Sequence, residues 1–319
     1  MSSTSLIKRV STFLGFSEEV VEGIAKASNR AYVKYSIPKK GGGRRTILHP
    51  SKQLKSIQYA LNQIVFEKLP VDGIAKAYVY GISSPIKKNA NIHKDYKYSL
   101  RIDFKDFFPS LQPSDIFNAI KAGGFSEGMN LNEESEDFIE KSCFYNFGNH
   151  YGLPIGAPSS PSISNAIMNS LDKELVEIAS QIDDDAVVTR YADDIIFSVN
   201  EKGACKMFHD RLIKLIENTQ SPMLKINKKK TRYMSRGSRR VVNGLFITPN
   251  GKVTIGREKK NYIKKLVYKY NTSVLEEHEI KYLSGYLSFI LDVEPEFYKK
   301  LVVKYSSIVN DIRKMSYHK

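Results

Sequence analysis

Thr189-Arg190-Tyr191-Ala192-Asp193-Asp194-Ile195-Ile196-Phe197-Ser198 sets two adjacent carboxylates between two runs of β-prone residues. Val187, Val188 and Thr189 on one side, and Ile195, Ile196 and Phe197 on the other, are β-branched or aromatic. The stretch therefore reads as a hairpin whose turn carries both acids to the edge of a sheet. Neighbouring aspartates repel unless something positive neutralises them. Water around a solvated turn would screen them; a hard divalent cation, Mg²⁺ above all, would neutralise them through oxygen coordination. The pair alone leaves both readings open.

A third acid bears on the choice. Tyr98-Ser99-Leu100-Arg101-Ile102-Asp103 is a second strand-like run ending on a carboxylate, followed by Asp106 and a Phe107-Phe108-Pro109 stop. A strand that ends at Asp103 beside the hairpin gathers three acids. Such a trio can hold two metal ions, which activate an attacking hydroxyl and steady the departing pyrophosphate in nucleotidyl transfer. Phosphoryl transfer is mostly positioning and charge neutralisation, which is why it calls for carboxylates.

The chain around these strands reads as α+β. Ser17 followed by Glu18 and Glu19 opens a helix running to Ala27. Tyr32–Ile37 and Arg45–His49 read as strands joined by the basic turn Pro38-Lys39-Lys40-Gly41-Gly42-Gly43. From Ser51 to Lys68, Leu54, Ile57, Leu61, Ile64 and Val65 recur at helical spacing. Ser84-Pro85 suits a helix start. Further helices are expected near 113–122, 132–146, 160–180 and 201–217, strands near 240–247 and 251–255, then a tail of three helical segments.

Composition points to a polyanionic partner. The 319 residues include 49 Lys and Arg against 34 Asp and Glu, a net charge of +15, which favours nucleic acid through counterion release. From 218 to 257 there is no acid, while Lys225, Lys228, Lys229, Lys230, Arg232, Arg236, Arg239, Arg240, Lys252 and Arg257 fall in that stretch. A charge run can be a solvated face; just beyond the acidic hairpin, it reads as a track for template and primer. Glu127, Glu133, Glu134, Glu136, Asp137 and Glu140 form an opposite, acidic patch, read as a solvated helix or as a docking face for a basic partner protein. The two cysteines, Cys143 and Cys205, lack metal spacing and fit a reducing, cytoplasmic setting. Neither a signal peptide nor an apolar run long enough for a bilayer is evident, so no membrane partner is expected.

Three motifs in order, the Asp103 strand, Gly152-Leu-Pro-Ile-Gly-Ala-Pro-Ser-Ser-Pro161 and the Tyr191-Ala-Asp-Asp194 box, resemble the palm of a reverse transcriptase. The resemblance runs from about Lys39 onward. Asn89-Ala90-Asn91-Ile92-His93 and Val242-Asn243-Gly244 are similar to features of the bacterial retron branch, with Asn243 where Val-Thr-Gly is the branch's pattern. The resemblance implies a right-hand polymerase: an N-terminal helical segment at 1–30, fingers at 31–96, palm at 97–238, primer-grip strands at 239–256 and a short helical thumb at 257–319.

It also implies site roles. Asp103, Asp193 and Asp194, with the Phe104 backbone, would hold two Mg²⁺ ions. Lys39 and Arg45 would clamp the triphosphate of the incoming dNTP, Asp106 would lie beside it, and Phe108 would exclude a 2′-hydroxyl. Lys230, or one of its neighbours Lys228 and Lys229, would protonate the departing pyrophosphate. Ile155 replaces the glutamine of many relatives, which removes a polar contact. Asn89, His93, Val242, Asn243, Gly244, Arg257, Lys260 and Lys264 would meet primer or RNA, with Tyr262, Tyr268 and Tyr270 available for stacking.

The retron resemblance further implies a dedicated structured noncoding RNA as template and primer, a DNA product branched from a guanosine 2′-hydroxyl, and antiphage defence with an effector protein. Another bacterial reverse transcriptase, of the group II intron or diversity-generating type, would keep the chemistry and change the RNA. A catalytically silent RNA-binding module would keep only the fold.

Overall fold

The computed structural model describes residues 5–39, 42–81, 83–122, 131–272 and 274–314. Lys40 of the basic turn and Glu127 of the acidic patch lie outside them. The chain forms two compact units. The first comprises Met1–Tyr80, Arg101–Ile195 and Lys206–Arg232; the second comprises Gly81–Leu100, Ile196–Cys205 and Tyr233–Lys319.

Serine caps start the first helices. Ser5 and Ser17 accept from the N–H groups of Lys8 and Val20 at the heads of α1 (Leu6–Leu14) and α2 (Glu18–Lys26), satisfying donors the helix leaves free. β1 (Tyr32–Pro38) pairs antiparallel with β2 (Arg44–Pro50), setting Ile37 opposite Arg45. Ser51 caps α3 (Lys52–Ile64), which buries Leu54, Ile57, Leu61 and Ile64 as their spacing predicts. The helix expected to reach Lys68 ends earlier, because Val65 leaves helical dihedrals (φ −123°, ψ −70°) and a 3₁₀ turn, Phe66–Lys68, follows.

α4 (Pro85–Ile92) starts on Pro85, and β3 (Tyr98–Asp103) runs to the first acid. The Phe-Phe-Pro stop is a single helical turn, α5 (Phe107–Ser110). α6 (Pro113–Ala122) and α7 (Glu133–Cys143) follow; α7 ends three residues before the expected 146, where β4 (Tyr145–Asn146) pairs with β5 (Tyr151–Gly152). Glu133, Glu134 and Glu136 occupy the first turn of α7, where its dipole favours negative charge.

α8 (Ser160–Ser180) packs on α6 and on β6 (Val187–Tyr191), and β7 (Asp194–Val199) completes the acidic hairpin. α9 (Ala204–Asn218) precedes β8 (Arg232–Ser235), a strand the sequence reading missed, and the sheet runs β6-β7-β3-β8.

In the second unit the single strand expected near 240–247 is a hairpin, β9 (Arg240–Val242) and β10 (Leu245–Ile247), paired on to β11 (Val253–Thr254). Asn243 and Gly244 form its two-residue turn with φ of 49° and 83°, the left-handed pair an Asn-Gly hairpin turn requires. Among the described residues the tail holds four helices instead of three: α10 (Arg257–Asn271), α11 (Glu277–Val293), α12 (Pro295–Lys304) and α13 (Ser306–Lys314). Glu294 and Tyr305, both outside helical dihedrals, divide the last three. One apolar core joins Val242, Leu245 and Ile247 to Leu266, Leu287, Leu301 and Ile312 of those helices. Among the described residues no helix is long and apolar enough to cross a membrane.

Candidate active site

Asp103 ends β3, and its backbone is pinned on both sides. Its carbonyl accepts from the Asn227 N–H (2.8 Å), while the next residue, Phe104, donates to the Asp193 carbonyl (3.1 Å). Phe104 also bridges antiparallel to Ile226. The segment before β8 therefore lines the end of β3 and brings two side chains to the acid: Asn227 Nδ2 donates to Asp103 Oδ1 (3.0 Å) and Lys230 Nζ to Oδ2 (2.8 Å). Asp103 is 2 % exposed.

The two neighbouring acids differ. The hairpin turn is Ala192-Asp193, and Asp194 is the first residue of β7. Ala192 takes φ +56°, a left-handed conformation uncommon for a residue with a Cβ. Asp193's carboxyl is pushed up to about 6, first by burial and then by the charges of Asp194 and Asp103. Asp194 is also raised by burial, but Arg101 opposes this through a two-pronged ion pair: Nε and Nη2 meet Oδ1 at 3.1 and 2.9 Å, and Nη2 meets Oδ2 at 2.7 Å. Arg101 lies two residues before Asp103, which on a strand gives both side chains one face. Among the described residues no three His, Cys, Asp or Glu side chains form a ready-made metal cluster.

The donor set fits a hard divalent ion nonetheless. Asp103 offers buried oxygens and Asp193 half-buried ones, and the charge of Asp103 adds to desolvation in holding the Asp193 carboxyl up, a repulsion that a divalent cation relieves.

Around the acids, Phe108 on α5 is half-buried, with its ring 5.4 Å from Phe107 and 6.3 Å from Tyr78. Asp106, exposed at φ +49°, precedes that turn. Tyr78, which sequence reasoning missed, is raised by burial and by Asp193, and Arg45 opposes the shift. Asp193 and Arg45 thus act on its hydroxyl in opposite directions. Arg45 is exposed on β2; Lys39 is exposed at the turn, its N–H donating to the Gly43 carbonyl (3.0 Å). Gly152 and Gly156 allow close backbone approach: a Cβ on Gly152 would overlap the Pro109 carbonyl, and one on Gly156 would lie 2.8 Å from the Leu48 carbonyl. The Ile155 carbonyl accepts from the Leu48 N–H (2.8 Å), so the loop is stitched to β2 by backbone where its side chain is apolar.

In the second unit, several residues expected at an RNA surface turn inward. His93 is fully buried, with Nδ1 2.9 Å from Ser198 Oγ, and Asn89 is fully buried, donating to the Asn243 side chain. Val242 belongs to the core. Asn89 and Val242 support the β9–β10 hairpin, and His93 is held against β7. Arg240, counted in the basic track, is 1 % exposed and donates to the carbonyls of Lys94 (3.0 Å) and Tyr96 (2.6 Å). Lys260 is paired with buried Glu294, which also accepts from Thr254 Oγ1 (2.9 Å). Gly244, Arg257 and Lys264 are exposed. So is Tyr262, whose ring lies 6.0 Å from that of Tyr282, with Lys259 against both.

A sheet carrying one buried and two half-buried acids at the ends of adjacent strands defines the palm of a nucleotidyl-transferring polymerase. The family model for reverse transcriptase (RNA-dependent DNA polymerase) matches residues 37–286. Similar proteins include the retron Ec73 reverse transcriptase of Escherichia coli, 37% identical over 299 residues covering 91% of this chain and 90% of that protein. The retron Ec83 reverse transcriptase of the same organism is 32% identical over 290 residues, covering 89% and 90%. The chain belongs to the reverse transcriptase family, in its bacterial retron type, and is an RNA-directed DNA polymerase. In fold it is also similar to apo telomerase of Candida tropicalis, with TM-score 0.52 and 14% identity over 90% of this chain, spanning 57% of that longer chain.

Proposed function

We propose that this enzyme copies a dedicated structured noncoding RNA, beginning from a guanosine 2′-hydroxyl in that RNA and yielding a branched RNA–DNA molecule, within an antiphage system that includes an effector protein. The observation that carries the reading is its similarity to named retron reverse transcriptases along nine tenths of both chains.

At the site, two Mg²⁺ ions would be held by Asp103, Asp193 and Asp194 with the Phe104 carbonyl. When bound, they supply charge for the attacking hydroxyl and the departing pyrophosphate. Asp194, now paired with Arg101, would give up that pair to serve as a ligand. Lys39 and Arg45 bind the triphosphate of the dNTP, Asp106 borders it, and Phe108 stands under the sugar, where a ribose 2′-hydroxyl meets the ring. Lys230, already on Asp103, is the proton donor to pyrophosphate. Gly244, Arg257 and Lys264, with the Tyr262 ring, offer the exposed basic and aromatic surface for primer and RNA.

Two experiments test this. Extension of oligo(dT) on poly(rA) with Mg²⁺ is expected for the wild type and absent for Asp193→Asn, while Phe108→Ala gains ribonucleotide incorporation; unchanged ribonucleotide exclusion removes Phe108 from the role. Nucleic acid copurified from the native host, digested in parallel with ribonuclease, deoxyribonuclease and debranching enzyme, is expected to be branched. A linear DNA would sink the retron product.

A further inference from the structure

Arg190, at the penultimate position of β6, is fully buried although it carries a charge. Its guanidinium grips Asp172 on α8 through Nε to Oδ1 (2.7 Å) and Nη2 to Oδ2 (2.6 Å), both side chains being 0 % exposed. The remaining nitrogen, Nη1, is shared between Asn165 Oδ1 on α8 (3.2 Å) and the backbone carbonyl of Ala192 (3.3 Å). The Arg190 peptide is fixed as well: its N–H donates to the Ile74 carbonyl and its carbonyl accepts from Lys76, each at 2.8 Å.

A buried ion pair alone says little beyond packing. What separates this one is its third contact. Ala192 holds φ +56°, a conformation that persists in a non-glycine residue only where surrounding contacts over-determine it. The next residue is Asp193, whose own carbonyl accepts from Phe104 beside Asp103. One end of the Ala192-Asp193 turn is therefore tied to α8 and the other to the strand of the third acid.

We propose that Arg190 is a positioning residue for the polymerase reaction: anchored on Asp172 and Asn165, it clamps the Ala192 carbonyl and so aims the Asp193 carboxylate. It touches neither substrate nor metal. α8, which contributes no acid to the site, thereby sets where one of the acids points.

Arg190→Lys keeps the charge and loses the fork. The measurements are kcat and dNTP KM, RNA affinity, the melting profile, and Mn²⁺ affinity by electron paramagnetic resonance without primer or dNTP. The expected result is a folded variant with kcat lowered roughly 10- to 100-fold, the scale of a small misplacement at a reacting centre, with weakened Mn²⁺ binding and RNA affinity unchanged. Wild-type kcat and Mn²⁺ affinity in the folded variant, or RNA affinity falling in step with kcat, overturn the proposal. Should Arg190→Lys fail to fold, Asp172→Asn is compared with Asp172→Asn/Ala192→Gly. Glycine adopts the turn without a clamp, so the double variant is expected to have the higher kcat; an equal or lower value overturns the proposal.

Discussion

Asp193 combines burial with repulsion from two neighbouring acids, and that combination makes it costly to the folded state. Replacing it by asparagine keeps the shape and removes one charge from the group. In buffer free of divalent ions, Asp193→Asn is expected to be more stable than the wild type by about 1–3 kcal/mol, the worth of one or two pKa units, while losing DNA synthesis. A melting temperature at or below wild type would show that the acids do not strain the fold. At this scale the acids were legible, because residue type and position at strand ends carry their chemistry. Arg101, Tyr78 and Asn227 were not, since each acquires its role from a partner distant in sequence: Asp194, Asp193 and Asp103 respectively. The inward turn of His93 and Asn89 was hidden for the same reason, as their hydrogen-bond partners lie on β7 and in the β9–β10 turn.

Elements were legible where periodicity was strong. α8 and the acidic hairpin stand where they were expected, and α3 buries the face its apolar spacing marked but stops at Ile64, short of Lys68. β8 was missed because Arg232-Tyr233-Met234-Ser235 lies in a basic run without clean alternation, and membership of the sheet decides its conformation. The β9–β10 turn had its signal in Asn243-Gly244, and the left-handed dihedrals give a local reason for asparagine there. The loop after β5 allows a direct test. At Gly156, φ is +118° and a Cβ would press on the Leu48 carbonyl and the Ile47 side chain. Gly156→Ala is expected to destabilise the protein by about 1–3 kcal/mol and, if Arg45 binds the triphosphate as proposed, to raise dNTP KM, because Ile47 and Leu48 share β2 with Arg45. Thermal melts and steady-state kinetics report the two effects separately.

Across the whole molecule, both thiols are shielded. Burial pushes Cys143 up to about 12 and Cys205 up to about 11. A raised thiol pKa keeps the unreactive neutral form at pH 7, and the thiolate gains population only as pH climbs toward those values. Native protein at pH 7 is therefore expected to label slowly with iodoacetamide and rapidly once unfolded in urea; fast native labelling of either cysteine contradicts its burial. The net charge of +15 acts at the same scale. It predicts a nucleic-acid partner without saying which exposed cations do the binding, because Arg240 and Lys260 are already committed to protein carbonyls and to Glu294.

The second unit draws on three separated stretches, 81–100, 196–205 and 233–319, and Ile86 and Ala90 of the first and Ile196 of the next pack in a core furnished mainly by the last. During synthesis on the ribosome, Ala90 emerges well before any of α10–α13 exists. At about 5–20 residues per second, the nascent chain keeps apolar side chains of that core uncovered for on the order of ten seconds or more. Closure of that core therefore waits on residues 233–319, although all three acids of the site have been made by then.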